Sequence, residues 1–509
     1  MPTPRAETID RLSTERLDLA VVGGGIVGAR IAYEAARLGL HVGLVEAGDF
    51  GGGTSSASSK LVHGGFRYLP MGDLALVRQS QQERQVFVDR IAPNLVRPIP
   101  FLLPVYKGGS KGPGTVATGL LLYRALAGHG GNVSLLNAGA ARQMVPPLRT
   151  TGLRMCGMFE EAETIDSRLV LATVKGAARS GALILNHAKV LGLELRHNRG
   201  GVVAVDTGHD GMLELRARHV INAAGPWVDH VRRMDEPDAE PVVRLSKGIH
   251  LMLPLDGDWM AGVALPLEGG RVALGIPWQG MLMLGTTDTL YAGEPSDVTV
   301  TAEDVRSVLE EASSYLPHEL VRPGRVRFEM AGLRALPIAE GDTVAARRGH
   351  MIEVSHNGLV SVAGGKLTTH RLIACDALRR LSFPDLGAFS ADARRLPGTG
   401  WSVETEERIG LAPDVADHLE RLYGDEAGRV LDLAAILPDG LERIHHDGPD
   451  IWAQVDYAFE SEWACTVEDV ARRRTTLSVR GLMTQKTAER IGRLASCKPT
   501  STDITCIEA

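Results

Sequence analysis

Cysteine and long apolar runs are scarce in this chain, and each scarcity excludes a class of protein. The five cysteines form no CxxC pair and no even-numbered framework, so neither a disulfide scaffold nor a metal centre is predicted, and a reducing compartment is favoured. No stretch approaches the roughly 20 apolar residues that span a bilayer. The polar N-terminal segment MPTPRAETIDRLSTERLD lacks the pattern of a signal peptide. We therefore expect any membrane contact to be peripheral.

A surplus of basic residues is also missing. The chain has 55 Lys and Arg residues against 62 Asp and Glu residues, which leaves a net charge of −7. This argues against a nucleic-acid-binding protein, since such a protein needs a basic face for phosphates. Nine residues in the whole chain are lysines, so a lysine inside a glycine-rich motif is less easily explained by chance.

The length of 509 residues predicts two or three domains. A hydrophobic fraction of 44% and a charged fraction of 23% are typical of a globular protein and exclude a disordered or fibrous chain.

The first motif has the pattern of a dinucleotide-binding turn. Residues 18–22 (DLAVV) predict a buried parallel strand, and Gly23, Gly25 and Gly28 follow it in GxGxxG spacing. The next segment, IAYEAARLGL, predicts a helix. HVGLVEAG then predicts a second strand that ends at Glu46. The glycines allow the turn, the close approach of a pyrophosphate and the packing of helix on strand. A carboxylate at the position of Glu46 accepts hydrogen bonds from a ribose. A glycine-rich turn without a ligand is the competing interpretation, and the motif alone does not distinguish FAD from NAD.

A second glycine-rich stretch, GDFGGGTSSASSKLVHGGFRYL at 48–69, follows this motif. Its small hydroxyl residues offer amides and hydroxyls to a diphosphate and a flavin ring. A flexible linker is the alternative, but linkers rarely continue into residues such as Lys60, His63, Arg67 and Tyr68. We expect a structured segment that lines a ligand.

Four further motifs contain candidate functional residues. INAAGPWV at 221–228 predicts a strand that ends in a glycine turn, and KGIHLMLP puts His250 in a strand of alternating polarity. AGLRALP puts Arg334 in a turn bounded by glycine and proline. GGKLTTHR puts Lys366 just before a helix. The competing interpretations are a buried strand exit, a structural histidine and surface ion pairs. GTTDT at 285–289 predicts a structural turn.

The remaining segments are interpreted more simply. The amphipathic residues 74–91 predict a helix packed on the core, residues 272–287 predict strand–turn–strand, and about 400–490 predict a small helical bundle. Within the bundle, ARRRTTL is interpreted as a solvated helix face in preference to a membrane-facing basic patch. Arg30 is interpreted as solvent-facing, and the final SCKPTSTDITCIEA as a loose tail.

Together these motifs resemble the FAD-dependent glycerol-3-phosphate dehydrogenases, which are glutathione-reductase-like flavoproteins with a D-amino-acid-oxidase type of substrate domain. The likeness spans roughly residues 18–480, includes VDYAFESEWACTVEDVARRRTTLSV near the C-terminus, and is most specific at SSKLVHGG and GGKLTTHR. The chain departs from the family pattern at Val27, Arg30 and Ala335, and the segment leading to Asp166 and Arg168 is looser.

The resemblance implies an α/β fold with a Rossmann-like FAD-binding domain of the glutathione-reductase type, a mixed-sheet substrate domain and a C-terminal α-helical cap. The predicted ranges are 15–95, 150–235 and 345–385 for the FAD-binding domain, 96–149 and 236–344 for the substrate domain, and 395–509 for the cap.

The resemblance also implies an activity, which is the oxidation of sn-glycerol 3-phosphate to dihydroxyacetone phosphate by hydride transfer to FAD, with electrons passed to a quinone. An oxidase that uses O2, a dehydrogenase of another polyol phosphate and a flavin-binding regulator without turnover remain alternatives. The implied location is cytoplasmic, with peripheral attachment to the inner leaflet of the membrane. A homodimer is among the assembly states that the sequence leaves open.

The site residues implied by the resemblance fall into three groups, and no metal ligand is among them. The catalytic group is His250, Arg334 and Lys366, and His250 and Arg334 are both left as candidates for the base. The substrate-binding group is Arg67, Tyr68, His63, Arg334 and Lys366. The cofactor-binding group is Gly23, Gly25, Gly28, Glu46, Thr54, Ser55, Ser58, Ser59, Lys60, Val190, Ala224, Gly225, Gly365, Lys366, Leu367 and Thr368.

Overall fold

The structure is a computed structural model, and it describes most of the chain. The described residues are 2–109, 111–127, 131–196, 200–267, 271–338, 349–381, 383, 390–401 and 411–496. The side chains of Arg67, Pro70, Met71 and His209 also lie outside this description. The predicted loose tail lies outside the described residues from position 497 onward.

The described strands are β1 (Arg16–Val22), β2 (Val42–Val45), β3 (Val96–Tyr106), β4 (Val133–Leu136), β5 (Leu153–Thr164), β6 (Leu183–Leu185), β7 (Lys189–Arg196), β8 (Gly200–Asp206), β9 (Met212–Asn222), β10 (Val243–Pro254), β11 (Gly262–Pro266), β12 (Val272–Trp278), β13 (Met281–Gly285), β14 (Thr289–Tyr291), β15 (Phe328–Pro337), β16 (His350–Val354) and β17 (Val360–Gly364).

The described helices are α1 (Arg5–Thr14), α2 (Ile26–Arg37), α3 (Leu74–Val86), α4 (Pro113–Ala127), α5 (Ala138–Met144), α6 (Asp166–Arg179), α7 (Val228–Asp235), α8 (Ala302–Ser313), α9 (His370–Leu378), α10 (Pro413–Tyr423), α11 (Ala427–Ile436), α12 (Trp452–Ser461), α13 (Val467–Asp469), α14 (Leu477–Arg480) and α15 (Gln485–Ser496). None of the described helices has the length and apolar composition needed to cross a bilayer.

The first sheet contains the predicted dinucleotide-binding strands. Its order is β16–β17–β9–β1–β2–β6, with β7 and β8 attached through β9. The pairs of β1 with β2 and β9, of β2 with β6 and of β17 with β9 are parallel. The strand β1 ends in the buried apolar residues 19–22, as expected for a parallel strand with both faces covered. Helices α2, α6 and α9 contribute to one large apolar cluster with these strands, so the predicted strand–helix–strand unit is confirmed.

The second sheet contains the strands on which Arg334 and His250 lie. Its order is β14–β10–β13–β12–β11–β3–β5–β4, and β15 pairs with β10 along its full length. The predicted strand–turn–strand at 272–287 is confirmed as β12 and β13, joined at Gln279 and Gly280, which both have positive φ. Strand β5 pairs with β3 and β4, so residues 153–164, which fall in a range predicted for the FAD-binding domain, belong to this second sheet.

The helix predicted at 74–91 is confirmed as α3 followed by a π-helical turn, Phe87–Ile91. The interpretation of Arg30 as solvent-facing is wrong. Its side chain is fully buried, and its guanidinium donates to Glu34 Oε1 at 2.5 Å and to the carbonyl oxygen of Asp392 at 2.8 Å. Burial of an arginine requires such partners.

The helical region near the C-terminus is confirmed as α10 to α15, but the interpretation of ARRRTTL as a solvated helix face is wrong. Arg474 is buried and forms a bidentate pair with Asp49, at 2.7 Å for each contact. Arg473 pairs with Asp49 and Asp469. Two of the three arginines therefore attach the helical region to the loop after β2, and Arg472 pairs at the surface with Glu468.

A second group of buried charges joins α6 to the helical region. Arg168 donates two hydrogen bonds to Glu462, at 2.6 and 2.7 Å, and Lys175 donates to Glu462 at 2.8 Å and to Glu426 at 2.7 Å. Removal of one partner from such a group leaves a charge uncompensated in a low dielectric.

We predict that Glu462→Gln lowers the free energy of unfolding by about 3–5 kcal/mol at pH 7, measured by urea unfolding of the FAD-loaded protein. Burial raises the pKa of Glu462, but Arg168 and Lys175 outweigh burial and bring the pKa to about 2. The stabilisation is therefore present above the unfolded-state pKa of about 4.3 and is lost as the pH falls toward 2.

The matched control is Glu468→Gln, which removes the partner of Arg472 at the surface and should leave the unfolding midpoint unchanged. Equal midpoints for the two variants would contradict the role given to the buried group.

Candidate functional site

The glycine turn between β1 and α2 brings the backbone very close to itself. A Cβ at Gly28 would overlap the carbonyl oxygen of Gly23, and a Cβ at Gly23 would lie 2.6 Å from the carbonyl oxygen of Ala223. Gly25 is the N-cap of α2, and a Cβ there would meet one atom within 4 Å, the Oγ of Ser55 at 3.1 Å. The N-terminus of α2 therefore opens onto unfilled space, as a pyrophosphate site requires.

Glu46 lies just past β2 and faces this turn. Its carboxylate accepts hydrogen bonds from the amides of Gly24 (2.6 Å) and Gly48 (2.9 Å). Burial raises the pKa of Glu46, and these two amides partly lower it again. A carboxylate has about four acceptor positions, so two remain for ribose hydroxyls.

Val190, Ala224 and Gly225 surround the same end of the first sheet. Val190 on β7 and Ala224 pack into an apolar cluster that also contains Val22 and Val45, the last residues of β1 and β2. Gly225 begins a short 3₁₀ helix with φ +56°. The sequence thus predicted a set of residues that the fold brings to one edge, and this edge fits the adenosine side of a dinucleotide.

Residues 54–59 connect this edge to the second sheet. Ser55 Oγ accepts from the amide of Ile26 at 3.0 Å, and Thr54 Oγ1 donates to the carbonyl oxygen of Leu333 at 2.5 Å. Ser59 Oγ shares a hydrogen bond of 2.9 Å with Nε2 of His250. The segment is therefore structured and reaches from the helix N-terminus to the strands of the second sheet.

Ser58 and Lys60 contact a residue that sequence reasoning did not include in the site. Ser58 Oγ donates to Asp166 at 2.7 Å, and Lys60 Nζ donates to both carboxylate oxygens of Asp166, at 2.8 and 2.9 Å. The ammonium of Lys60 is thus paired with Asp166, so a contact of Lys60 with a cofactor would be made by its main chain. Asp166 is the first residue of α6, in the segment where the chain departs from the family pattern, and no local pattern connects it with Lys60.

Arg334 and His250 lie on adjacent strands. The prediction that Arg334 lies in a turn is wrong, because it is inside β15, where its Cα pairs with Ser246 of β10, and His250 lies four residues further along β10. Gly248 lies between them, and a Cβ there would overlap the guanidinium of Arg334. Alternation along a strand puts residues 246, 248 and 250 on one face, so the absence of a side chain at Gly248 provides space for Arg334.

The segment GTTDT is a turn between β13 and β14, as predicted, but it also holds Arg334. The guanidinium donates to Thr286 Oγ1 at 2.9 Å and to the carbonyl oxygen of Thr287 at 3.2 Å, and its Nη1 lies 3.5 Å from Asp288. These contacts bind one side of the planar Arg334 guanidinium and so fix its orientation.

The imidazole of His250 is buried and neutral. Burial first, and then the positive charges of Arg334 and Lys60, lower the pKa of His250 to about 3. A neutral imidazole can accept a proton at physiological pH, whereas an arginine guanidinium does not lose one. Nδ1 of His250 has no hydrogen-bond partner among the described residues.

Lys366 lies beside the loop that contains His63 and Tyr68. Its Nζ is 4.0 Å from the centroid of the Tyr68 ring, and Thr368 Oγ1 donates to the carbonyl oxygen of His63 at 3.2 Å. The rings of His63 and Tyr68 are 5.8 Å apart. As predicted, Lys366 precedes a helix, here a 3₁₀ turn (Leu367–Thr369) that continues into α9.

Gly365 and Leu367 flank Lys366, and Arg67 belongs to the facing 3₁₀ helix, Phe66–Met71. The side chain of Arg67 lies outside the described residues, so its predicted contact with a phosphate stays a prediction. A Cβ at Gly364 would lie 2.6 Å from Pro337, the last residue of β15. The end of β15, the strand that carries Arg334, therefore lies next to the end of β17, which leads into the turn that carries Lys366.

Comparison with known families agrees with this geometry. Residues 18–371 match the model of the FAD dependent oxidoreductase family, and residues 390–498 match the C-terminal domain of alpha-glycerophosphate oxidase. The glycerol-3-phosphate dehydrogenase of Mycobacterium leprae is 34% identical over 500 residues, which cover 94% of this chain and 84% of that protein. The mitochondrial glycerol-3-phosphate dehydrogenase of Homo sapiens is 34% identical over 516 residues, which cover 94% of this chain and 70% of that protein.

Solved structures agree with both the fold and the cofactor. The glycerol-3-phosphate dehydrogenase of Bacillus halodurans complexed with FAD superposes with a TM-score of 0.74 at 28% identity, over 97% of this chain and 96% of that chain. The L-alpha-glycerophosphate oxidase of Mycoplasma pneumoniae has the same fold, with a TM-score of 0.59 at 17% identity, over 75% of this chain and all of that one. The resemblance, the fold class and the dependence on FAD are therefore confirmed, and the chain belongs to the glycerol-3-phosphate dehydrogenase family of FAD dependent oxidoreductases.

Proposed function

We propose that this protein oxidises sn-glycerol 3-phosphate to dihydroxyacetone phosphate and reduces a quinone. The observation that carries the proposal is the juxtaposition of a neutral, buried His250 with the guanidinium of Arg334 on one face of β10 and β15. Oxidation of a secondary alcohol requires a group that takes the hydroxyl proton and a positive group that stabilises the alkoxide.

FAD fits the edge formed by the glycine turn and residues 54–59. The residues that would hold it are those predicted from the sequence, namely Gly23, Gly25, Gly28, Glu46, Thr54, Ser55, Ser58, Ser59, the main chain of Lys60, Val190, Ala224, Gly225, Gly365, Lys366, Leu367 and Thr368. When bound, FAD supplies the acceptor for the hydride that leaves the carbon atom.

His250 is the better candidate for the base, and Arg334 for the stabilising cation. An arginine guanidinium does not give up its proton in a protein, whereas His250 is neutral and its Nδ1 has no partner among the described residues. A phosphorylated substrate adds negative charge beside Arg334 and Lys366. Negative charge raises the pKa of a nearby imidazole, so substrate binding itself makes His250 a stronger base.

Lys366 and Arg67 are proposed to bind the phosphate, with Tyr68 and His63 beside them. The ammonium of Lys366 lies over the ring of Tyr68, and this cation–π contact restricts the orientation of the flexible lysine side chain. Two cations on facing segments suit a phosphate better than a neutral polyol, which favours glycerol 3-phosphate as the substrate.

The proposed electron acceptor is a quinone, and the alternative is dioxygen. Relatives named as mitochondrial glycerol-3-phosphate dehydrogenases support the dehydrogenase, and the match of residues 390–498 to an oxidase domain is the observation that keeps the oxidase open. The proposed location is cytoplasmic, with peripheral attachment to the inner leaflet of the membrane. The proposed division into domains follows the predicted ranges, with residues 153–164 moved to the substrate domain.

We predict that glycerol 3-phosphate, added without oxygen, bleaches the visible flavin absorbance of the purified protein, and that a soluble quinone analogue restores the absorbance faster than air does. Stopped-flow absorbance measures both steps. Faster recovery in air would support the oxidase instead, and a flavin that glycerol 3-phosphate does not bleach would contradict the substrate.

We predict that Arg334→Ala keeps its FAD but slows flavin reduction by about 10²–10³-fold, because one preorganised charge on a developing oxyanion has that effect. Stopped-flow reduction at saturating glycerol 3-phosphate gives the rate, and the flavin-to-protein absorbance ratio gives the loading. Normal reduction in this variant would remove Arg334 from the site.

We predict that Lys366→Ala raises KM for glycerol 3-phosphate by at least about tenfold, the cost of one lost charge-assisted contact, and has a smaller effect on KM for glycerol. Steady-state assays with both substrates provide the comparison. Lys486→Ala, at the surface of α15, is the control and should leave both constants unchanged. Equal effects of Lys366→Ala on the two substrates would contradict its role as a phosphate ligand.

A further inference from the structure

Asp166 is a buried acid that contacts the residues on either side of Ser59, the hydrogen-bond partner of the proposed base, and it has no part in the proposed reaction. It is the first residue of α6 and is completely buried. Its carboxylate accepts from Ser58 Oγ, from Lys60 Nζ and from the amide of Ser167, at 2.7 to 2.9 Å. These donors occupy the acceptor positions of the carboxylate, which therefore holds its neighbours in place.

These donors lie on either side of Ser59, whose hydroxyl contacts His250. Ser58 is fixed through its own side chain, which also accepts from the amide of Lys60 at 3.0 Å. Lys60 is fixed through Asp166 and through the carbonyl oxygen of Ser56, to which Nζ donates at 2.6 Å. The position of Ser59 is therefore determined from both neighbours.

The backbone of Lys60 needs this support. Its φ is +56°, in the left-handed region that a non-glycine residue rarely adopts. Such a conformation persists where the surroundings determine it strongly, and it occurs often at functional sites. Asp166 supplies the counter-charge that keeps the lysine buried in this conformation.

His250 depends in turn on Ser59. The hydrogen bond of 2.9 Å between Ser59 Oγ and Nε2 is the polar contact that the described residues provide to this ring, since Nδ1 has no partner among them. The partner of one ring nitrogen selects the tautomer and so decides which nitrogen is free to accept a proton.

We propose that Asp166 is a positioning residue for proton transfer, which acts by fixing residues 58–60 so that Ser59 holds the imidazole of His250 in one orientation and one tautomer. The inference rests on the proposed function in one respect, namely that His250 accepts the hydroxyl proton. Among the described residues, the carboxylate of Asp166 accepts hydrogen bonds from Ser58, Lys60 and Ser167 and not from His250, so it acts through Ser58, Lys60 and Ser59.

The first test compares Asp166→Asn with Asp450→Asn in the FAD-loaded protein. Asp450 is equally buried and accepts from Thr476 and His418 in the helical region. We expect Asp166→Asn to slow anaerobic flavin reduction by glycerol 3-phosphate about 10- to 100-fold, with KM changed less than twofold. Asp450→Asn should remain within twofold of the parent rate.

A second variant separates positioning from stability. Asp166→Asn leaves the ammonium of Lys60 buried without a counter-ion, so it also lowers the melting temperature. Addition of Lys60→Met removes that charge, and we expect the double variant to recover the melting temperature but not the rate of flavin reduction. Recovery of both would overturn the proposal, because Asp166 would then have a structural role alone, and so would an Asp166→Asn protein that reduces its flavin at the parent rate.

A measurement that does not use turnover tests the same step. In protein labelled with ¹⁵N-histidine, we expect the ring nitrogens of His250, identified by their loss in His250→Gln, to report one tautomer in the parent and a mixture in Asp166→Asn. An unchanged spectrum would overturn the proposal. If glycerol 3-phosphate fails to reduce the parent flavin, the proposed function fails, and the tautomer measurement still decides the role of Asp166.

Discussion

The positive charge around one buried histidine is the constraint on which the rest of the site depends. Burial and the nearby charges of Arg334 and Lys60 keep His250 neutral. Each of these cations is restrained by contacts within the protein, Arg334 by the turn at 286–288 and Lys60 by Asp166. A small displacement of either cation would change the proton affinity of His250, so in the proposed reaction these contacts affect how readily His250 takes a proton.

The site is built at the meeting of two sheets, and the connections between them are short and polar. Thr54 donates to β15, Ser59 contacts β10, and Gly364 at the end of β17 packs on Pro337 at the end of β15. The edge that contains the glycine turn and the strands that carry His250 and Arg334 are therefore held in one fixed relation. A hydride transfer depends on such a relation, because the reacting atoms must meet at a defined distance.

Buried ion pairs serve a different purpose where α6 and the loop after β2 meet the helical region. Arg168, Lys175 and Arg474 connect α6 and the loop after β2 to the helical region through Glu462, Glu426 and Asp49. Asp49, three residues after Glu46, is in this way attached to the helical region. Charges of this kind contribute little to net stability but are costly to break, so they favour one arrangement of the two parts.

The sequence alone was sufficient where a local pattern requires one backbone geometry. The glycine spacing at 23–28, the strand alternation around His250 and the start of a helix after Lys366 follow from short-range rules of strands, turns and helices. The motifs also identified the family, which in turn pointed to FAD and to most of the residues near the glycine turn. What these residues do in the reaction remained open, including the choice of base.

Only the tertiary structure decided what depends on contacts between distant segments. Arg334 looked like a turn residue because Gly332 and Pro337 flank it, yet β10 pairs with this whole segment and makes it a strand. Arg30, Arg473 and Arg474 looked solvated because they are charged, and their acidic partners became visible once the chain was folded. Asp166 could not be placed beside Lys60, 106 residues away, by any local pattern. The physical reason is the same in each case, since burial and counter-charges are properties of the folded neighbourhood and not of the residue itself.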